Sequence, residues 1–238
     1  MKVIGHRGWP ARYPENTLAG FRAAVRAGVD AIELDVHLSA DDRVVVIHDE
    51  RTGRVADRDL DVRASTLDEL KTLDVGATFD PAFTGERIPT LEEVIDAVDR
   101  STPFLVEVKE PGETTERLNV QLLPLVDALA GRVTVQSFDA DYLRAFRALR
   151  PDVPTGYLCD ASPEALATTR AIGCSGFHPS WNTLTGEITR DARDAGLSLY
   201  VWNVRTVEDC RRVLDLDVDS VVVDHPDVML DLLKLRGG

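Results

Sequence analysis

The chain has 238 residues and a formal net charge of −14, and 44% of its residues are hydrophobic while 29% are charged. This composition excludes disordered and fibrous proteins, and the excess of acidic residues argues against nucleic acids and anionic membrane surfaces as partners. Because no apolar run approaches the roughly 20 residues of a membrane span and the first residues form no signal peptide, we expect a cytoplasmic protein.

The first predicted strand covers residues 3–6 and ends in a group of polar residues. The sequence His-Arg-Gly at positions 6–8 closes the strand, and Pro-Glu-Asn-Thr at positions 14–17 leads into a predicted helix over residues 17–27. His6 and Arg7 are therefore candidate site residues at a strand end. Glu15 and Asn16 have a simpler alternative role at the start of the helix, since asparagine is a good N-cap.

The second predicted strand alternates between apolar and polar residues over positions 31–38, and its polar face carries Glu33, Asp35 and His37. A β-branched run at 44–47 follows Asp41 and Asp42, which predicts an antiparallel hairpin. A two-residue turn at these aspartates sets His48 directly opposite Asp35, with a Cβ separation of about 4.5 to 5.5 Å. The hairpin thus brings a histidine back to the two carboxylates, whereas His37 is expected on the surface.

About fifty residues separate His48 from the next strand, far more than the roughly 2 to 6 residues of an ordinary strand-to-helix loop. We expect an insertion over residues 50–88 that forms a small cap at the mouth of the site. A short helix over residues 67–73 is predicted within it, with Phe79, Phe83 and Ile88 as apolar anchors. Thr90 and Glu93 then match a capping box that opens a helix over residues 91–98.

The rest of the chain alternates short apolar segments with longer amphipathic ones. Strands are predicted over residues 104–109, 133–137, 155–158, 176–179, 198–202 and 220–223. Helices are predicted over residues 118–129, 140–149, 163–172, 187–195 and 207–214. Eight strands in a chain near the usual size of about 250 residues predict an α/β fold, a single (β/α)8 TIM barrel over residues 1–238 with the cap inserted after the second strand and its hairpin. A doubly wound open sheet is the alternative, but its early glycine-rich phosphate fingerprint is absent.

The active site of such a barrel lies at the carboxyl ends of its strands. Six residues with suitable chemistry stand at predicted strand ends, namely His6, Glu33, Asp35, Glu107, Lys109 and Trp202. His178 and His225 also lie near strand ends but are not counted as site residues. The three cysteines, Cys159, Cys174 and Cys210, are scattered without a paired spacing, so we expect buried, neutral thiols.

Seven motifs resemble, in order, those of the glycerophosphodiester phosphodiesterases, and the resemblance covers nearly the whole chain. They are His6-Arg7-Gly8, Pro14-Glu15-Asn16-Thr17, Glu33-Leu34-Asp35-Val36, Val46-Ile47-His48-Asp49, Glu107-Val108-Lys109, Gln136-Ser137-Phe138 and Val201-Trp202-Asn203. Asp224-His225-Pro226 also resembles the end of that family's final strand. The chain departs from the family pattern at three places: the residues after Asp49, the turn before His48, which lacks glycine, and the residues after Trp202. These departures leave the head-group preference open.

The resemblance implies one divalent metal ion, Mg²⁺ or Ca²⁺, held by Glu33, Asp35 and Glu107. Oxygen ligands without cysteine suit either ion, whereas zinc more often recruits histidine or thiolate. The resemblance also implies that His6 and His48 are the general acid and base, in an order that the sequence leaves open. The candidate phosphate- or substrate-binding residues are Arg7, Lys109, Glu15, Gln136 and Trp202. Packing is the alternative role of Gln136 and Trp202.

These features indicate an enzyme that acts on small-molecule glycerophosphodiesters and hydrolyses them, with a bound metal, to sn-glycerol 3-phosphate and an alcohol such as choline, ethanolamine or glycerol. One alternative is a lysophospholipase D or sphingomyelinase-like phosphodiesterase on the same barrel, which needs an apolar channel for an acyl chain. Another is a noncatalytic phosphodiester-binding protein, but the presence of both histidines and all three acids argues against it. The sequence leaves the oligomeric state open.

Overall fold

The computed structural model of the protein describes residues 1–109, 112–129 and 131–237. Within these residues, eight parallel strands close into a barrel in the order β1-β9-β8-β7-β6-β5-β4-β2, and β1 pairs with β2 to complete the ring. A further strand, β3, pairs antiparallel with the end of β2. The strands are β1 (Lys2–Gly5), β2 (Ala31–Leu38), β3 (Val44–Val46), β4 (Phe104–Val108), β5 (Val133–Ser137), β6 (Thr155–Cys159), β7 (Gly176–Pro179), β8 (Ser198–Val204) and β9 (Ser220–Val223).

A helix follows each barrel strand, and one more helix lies between β3 and the helix of that repeat. The helices are α1 (Leu18–Ala27), α2 (Leu67–Lys71), α3 (Leu91–Ala97), α4 (Thr115–Ala128), α5 (Ala140–Leu149), α6 (Pro163–Ile172), α7 (Gly186–Asp194), α8 (Val207–Val213) and α9 (Pro226–Gly237). The predicted (β/α)8 barrel is confirmed, and the open-sheet alternative is wrong. In the part of the chain that the structure describes, every helix is too short or too polar to cross a membrane.

The alternation along the strands sets one face toward the helices and the other toward the barrel interior. Val106 and Val108 pack in the apolar cluster between β4 and the helices. The parallel register places Asp35 beside Glu107, and Glu107 beside Gln136. Because residues paired across parallel strands share a face, these three polar side chains lie at one level of the barrel interior.

The predicted hairpin forms, but its predicted register is wrong by one residue. Ser39 N donates to Arg43 O at 2.9 Å, so the loop has three residues and Asp42 adopts a left-handed φ of 58°. The extra loop residue puts Ile47, not His48, opposite Asp35, and Ile47 N donates to Asp35 O at 3.0 Å. His48 therefore reaches the site from just beyond the paired strand.

His37 is buried rather than exposed, so its predicted surface position is also wrong. Its Nε2 lies 3.0 Å from the carbonyl oxygen of His48. Because a carbonyl oxygen only accepts, Nε2 carries the proton and donates it. His37 thus fixes the backbone of the residue whose side chain the sequence proposes as catalytic.

The segment between β3 and α3 has an apolar cluster of its own, formed by Val45, Ile47, Ala56, Val62, Leu70, Leu73, Val75 and Ile88. Ile88 is buried as predicted, whereas Phe83 is half-buried and Phe79 is 45% exposed, so Phe79 is not an anchor. The predicted capping box is confirmed, because Thr90 Oγ1 accepts from Glu93 N and Glu93 Oε2 accepts from Thr90 N. The segment therefore rests on β3 and ends at a firmly defined helix start.

The cysteines are buried and free, as predicted. Burial raises the pKa of the Cys159 thiol to about 12 and that of Cys210 to about 11. Burial also raises the pKa of Cys174. Protonated, buried thiols are poor nucleophiles, so these cysteines belong to the packing of the barrel.

His178 fills the barrel interior and is wholly buried. Its ring stacks on Tyr200 with 4.7 Å between the ring centroids, and its Nδ1 donates to Gln136 Oε1 at 2.8 Å. A Cβ atom at Gly156 would lie 2.0 Å from the ring, and one at Gly176 would lie 2.4 Å from it. The two glycines therefore provide the space that the imidazole occupies.

Gly156→Ala is expected to lower the free energy of unfolding by about 1–3 kcal/mol, because the new methyl group overpacks the interior against His178. Urea denaturation measures this change. Gly186→Ala on α7 is the matched control, since the nearest atom to its new methyl group outside the backbone of the helix is Arg190 Nη1 at 3.8 Å. Equal stability of the two variants would contradict the close approach of the ring to Gly156.

Candidate active site

Three acidic side chains meet at the carboxyl ends of β2 and β4. Glu33, Asp35 and Glu107 are 2%, 0% and 7% exposed. One carboxylate oxygen from each lies within 4.8 Å of the others. Buried acids this close together repel one another and require positive charge beside them.

Asp35 is surrounded by groups that favour its charged form. Asn16 Nδ2 donates to Asp35 Oδ2 at 2.8 Å, Lys109 Nζ lies 2.9 Å from Oδ1, and Arg7 Nε lies 3.1 Å from Oδ2. Burial alone would raise the pKa of Asp35, but the charges of Lys109 and Arg7 outweigh it and hold the pKa well below its usual range. Asp35 is therefore the permanent negative charge of the group.

Glu33 and Glu107 are less well compensated. Burial and the neighbouring carboxylates raise the pKa of Glu33 well above its usual range. Burial and the charge of Asp35 raise the pKa of Glu107 to about 7, although Lys109 contacts Glu107 and opposes this shift. The buried Asp35 Oδ1 also makes no well-directed hydrogen bond. A divalent cation bound by the three carboxylates would supply the missing charge, so the residues present fit the metal site that the sequence predicts.

Two histidines flank the acids, and each is held by an aspartate. His6 follows β1, and its Nδ1 lies 2.5 Å from Asp224 Oδ1. His48 follows β3, and its Nδ1 lies 2.5 Å from Asp49 Oδ1. A carboxylate at Nδ1 selects the tautomer with its proton there, so Nε2 of each ring is left for a reactant.

Arg7 contacts three acidic side chains of the site, those of Glu15, Glu33 and Asp35. Its backbone N–H donates to Glu33 Oε2 at 3.1 Å, and its Nη1 donates to Glu15 Oε1 at 2.9 Å. Its φ of 50° lies in the left-handed region, which is uncommon for a residue other than glycine. Together with the approach to Asp35, these contacts hold the guanidinium over the acidic group.

Glu15 does not cap α1, because Thr17 does so by accepting from Gly20 N. Its carboxylate oxygens instead accept hydrogen bonds from Nη1 and Nη2 of Arg54, each at 2.8 Å. The same guanidinium contacts Asp49 through Nε. Arg54 of the insertion therefore links Glu15 with the aspartate that holds His48.

Gln136 and Trp202 both have packing contacts and both face the site. Gln136 Oε1 is occupied by His178, and Trp202 Nε1 donates to the carbonyl oxygen of His178 at 2.7 Å. The Trp202 ring meets Phe138 edge-on with 5.2 Å between the ring centroids. Gln136 and Trp202 also line a cavity of the site, so the two predicted roles, packing and substrate contact, are compatible.

Three adjoining cavities open at the site. One of them, with a volume of about 490 Å³, has His48, Glu107, Lys109 and Phe138 in its lining. The central cavity is lined by His6, Arg7, Glu33, His48, Glu107, Lys109, Gln136, Phe138, Leu158, Trp202, Asn203, Arg205 and Val222. The arginine cavity has a volume of about 310 Å³ and is lined by His6, Arg7, Pro10, Glu15, His48, Asp49, Arg54, Arg205 and Asp224. Both histidines line the central cavity and the arginine cavity, so a ligand that passes from one to the other meets two imidazoles.

Sequence reasoning left several functional side chains out of the candidate site. Asn16 holds Asp35, while Asp49 and Asp224 hold the histidines. Asp49 directly follows the histidine that it holds, so its place in the sequence was an available signal. Asp224 stands in a family motif but holds a histidine 218 positions away, so only the motif pointed to it. The sequence carries no local signal for Arg54, whose contact with Glu15 joins positions 39 residues apart.

Comparison with known proteins identifies a family for the chain. A family model described as "Glycerophosphoryl diester phosphodiesterase family" matches residues 6–228. The chain is 32% identical over 240 residues to a glycerophosphodiester phosphodiesterase of Caldanaerobacter subterraneus. The alignment covers 99% of this chain and 98% of the relative. It is 30% identical to a glycerophosphodiester phosphodiesterase of Bacillus altitudinis, with 95% of each chain covered.

Solved structures give the same result. A phosphodiesterase of Oleispira antarctica, in complex with the product sn-glycerol-3-phosphate, superposes with a TM-score of 0.92 at 26% identity and covers 98% of this chain and 97% of its own. A glycerophosphodiester phosphodiesterase of Thermotoga maritima has a TM-score of 0.79 at 31% identity, with 99% of this chain and 98% of its own covered.

Proposed function

The chain belongs to the glycerophosphoryl diester phosphodiesterase family and is a hydrolase of glycerophosphodiesters, and from this premise we propose that it forms sn-glycerol 3-phosphate and an alcohol by using one divalent cation and two histidines. The observation that carries the proposal is the meeting of three buried carboxylates and two aspartate-held imidazoles. A product of this kind is bound by the Oleispira antarctica relative.

Glu33, Asp35 and Glu107 are the proposed ligands of the cation, which is Mg²⁺ or Ca²⁺ because all three donors are hard oxygens. When bound, such a cation acts as a Lewis acid that neutralises charge on phosphoryl oxygens. Asn16 fixes the orientation of Asp35 by its 2.8 Å hydrogen bond, so it supports the ligand from behind.

His6 and His48 are the proposed proton-transfer groups. One imidazole accepts a proton through Nε2 from the attacking hydroxyl group, which belongs to water or to the glycerol hydroxyl beside the phosphate. As the new bond to phosphorus forms, the bond to the alcohol oxygen breaks, and the other imidazole delivers a proton to that oxygen. Attack by water gives sn-glycerol 3-phosphate directly, whereas attack by the glycerol hydroxyl gives a cyclic phosphate that water opens in a second step, with the roles of the two imidazoles exchanged. Asp49 and Asp224 hold the rings in the required tautomer and stabilise the protonated form as it arises.

Arg7 and Lys109 are the proposed phosphate-binding residues. Both side chains line the central cavity beside the carboxylates. A guanidinium grips two phosphate oxygens at once, and an ammonium supplies a compact charge. Because negative charge on the phosphoryl oxygens grows toward the transition state, both cations contribute to rate as well as to binding. Glu15, Gln136 and Trp202 complete the proposed substrate contacts, and residues 50–88 are the proposed cap of a single barrel domain.

The proposal is tested with purified protein, glycerophosphocholine and a lysophospholipid, each with and without a chelator. We expect turnover of glycerophosphocholine that stops when the chelator is present. Turnover of the lysophospholipid alone would instead indicate a lysophospholipase D, for which the half-exposed Phe138 at the mouth would be an apolar contact. Binding without turnover of any diester, with Mg²⁺ or Ca²⁺ supplied, would show a noncatalytic protein.

A further inference from the structure

Arg205 is the first residue after β8 and lines the central cavity and the arginine cavity of the candidate site. Its side chain is exposed, so it is available to a ligand. The proposed proton transfers, cation ligands and phosphate contacts make no use of it. The proposed function therefore gives no role to Arg205, although it lies where two cavities of the site meet.

Within the part of the chain that the structure describes, the charge of Arg205 has no acidic partner. With the Asn203 amide oriented so that its oxygen faces the guanidinium, Oδ1 accepts from Nε at 3.1 Å and from Nη2 at 3.0 Å. An amide is neutral, and among the described residues no carboxylate oxygen lies within ion-pair distance of this guanidinium. A guanidinium has five N–H groups, so the described residues leave Nη1 and part of Nη2 as unused donors.

The acids around Arg205 are already occupied. In the arginine cavity, Glu15 is paired with Arg7 and Arg54. Asp49 is held by His48 and Arg54, and Asp224 is held by His6. The net charge of −14 repels anions from the chain as a whole. An anionic ligand therefore needs a local cation, and Arg205 is one that no described acidic residue neutralises.

The chemistry of the substrate decides what Arg205 can bind. A guanidinium pairs best with a carboxylate or a phosphate. The diester phosphate is assigned to Arg7 and Lys109 by the proposed function, on which this inference rests, and the glycerol half of a glycerophosphodiester carries only hydroxyl groups. A second negative charge can therefore reside only on the alcohol half.

We propose that Arg205 binds an anionic group on the alcohol half of the substrate and gives the enzyme a preference for acidic glycerophosphodiesters. Glycerophosphoserine and glycerophosphoethanolamine form a matched pair for this purpose, because their alcohols differ only by one carboxylate. The wild-type enzyme should have the higher kcat/KM for glycerophosphoserine, and this preference should weaken with added salt because it depends on charge.

Arg205→Gln keeps hydrogen-bonding capacity but removes the charge. We expect it to lower kcat/KM for glycerophosphoserine about tenfold and to change kcat/KM for glycerophosphoethanolamine less than about twofold. Arg205→Lys keeps the charge without the paired donors and should fall between wild type and Arg205→Gln. Arg190→Gln removes the same charge from an exposed site on α7 outside both cavities and should leave the ratio of the two substrates unchanged.

Equal losses for both substrates would overturn the inference, because Arg205 would then contact the glycerol or the phosphate that they share. Equal activity of Arg205→Gln and wild type on both would overturn it too, as would a wild type without preference for the carboxylate. Thermal unfolding of Arg205→Gln checks that the exposed substitution leaves the fold intact. A wild type that hydrolyses neither diester with Mg²⁺ or Ca²⁺ supplied would overturn the proposed function itself, before any variant is compared.

Discussion

Replacement of His48 by alanine is expected to lower kcat by about 10²- to 10⁴-fold, and replacement of His6 should have an effect of similar size. Each imidazole is proposed to move one proton, and neither variant leaves a group that can take over. KM should change little, because both variants keep Arg7 and Lys109, the proposed phosphate contacts. Steady-state kinetics with glycerophosphocholine gives both constants, and near-normal turnover would exclude the altered histidine from proton transfer.

A diester with a p-nitrophenyl leaving group separates the acid from the base. Its leaving oxygen departs without a proton, so the variant that lacks the general acid should regain much of its activity on this substrate. The variant that lacks the base should not, because the attacking hydroxyl group still has to lose its proton. We expect one of the two alanine variants to improve and the other to stay inactive, and equal behaviour of both would contradict a division of roles.

Added imidazole gives an independent readout that a purely structural role would not produce. The side chain of His48 is 33% exposed and that of His6 is 10% exposed. Free imidazole should therefore restore more activity to His48→Ala than to His6→Ala. Unfolding temperatures near that of wild type would show that neither loss is a loss of the fold.

The barrel is readable from the sequence because its signals are local. Short β-branched runs alternate with amphipathic helices, and the capping box at Thr90 depends on residues three positions apart. The helix α9 has no such signal. Met229, Leu232 and Leu233 share one face, but Leu230 and the exposed Leu235 lie off that face, so the periodicity of the helix is weak.

The errors of prediction have non-local or energetic causes. The register of the hairpin depends on whether both aspartates of the turn or Asp42 alone adopts a left-handed φ, an energy difference too small for a sequence pattern to decide. The burial of His37 depends on the chain that returns past it at His48. The candidate acids and histidines were identifiable because strand ends converge in a barrel, whereas Arg54 reaches Glu15 from a segment whose path the sequence does not define.

Removal of the divalent cation is expected to abolish hydrolysis, and Glu33→Gln is expected to reduce it by at least about 10²-fold even with Mg²⁺ or Ca²⁺ in excess. In wild type, either ion should also raise the unfolding temperature, since a ligand that binds only the folded state stabilises it. Glu33→Gln should lose this gain, because one of the three proposed ligands is altered. Activity and thermal unfolding, each with a chelator and then with excess cation, measure both effects.

The metal-free proteins provide the most discriminating comparison. Glu33, Asp35 and Glu107 crowd three buried carboxylates together, and removal of one charge relieves this repulsion. Metal-free Glu33→Gln should therefore be at least as stable as metal-free wild type, although it has lost activity. Glu164→Gln, the same change at an exposed position on α6, should preserve both activity and the cation-dependent rise in unfolding temperature. Protons compete with the cation for carboxylates whose pKa is raised, so the rise in wild type should shrink as the pH falls from about 8 to about 6. A rise that persists in Glu33→Gln would place the cation elsewhere in the protein.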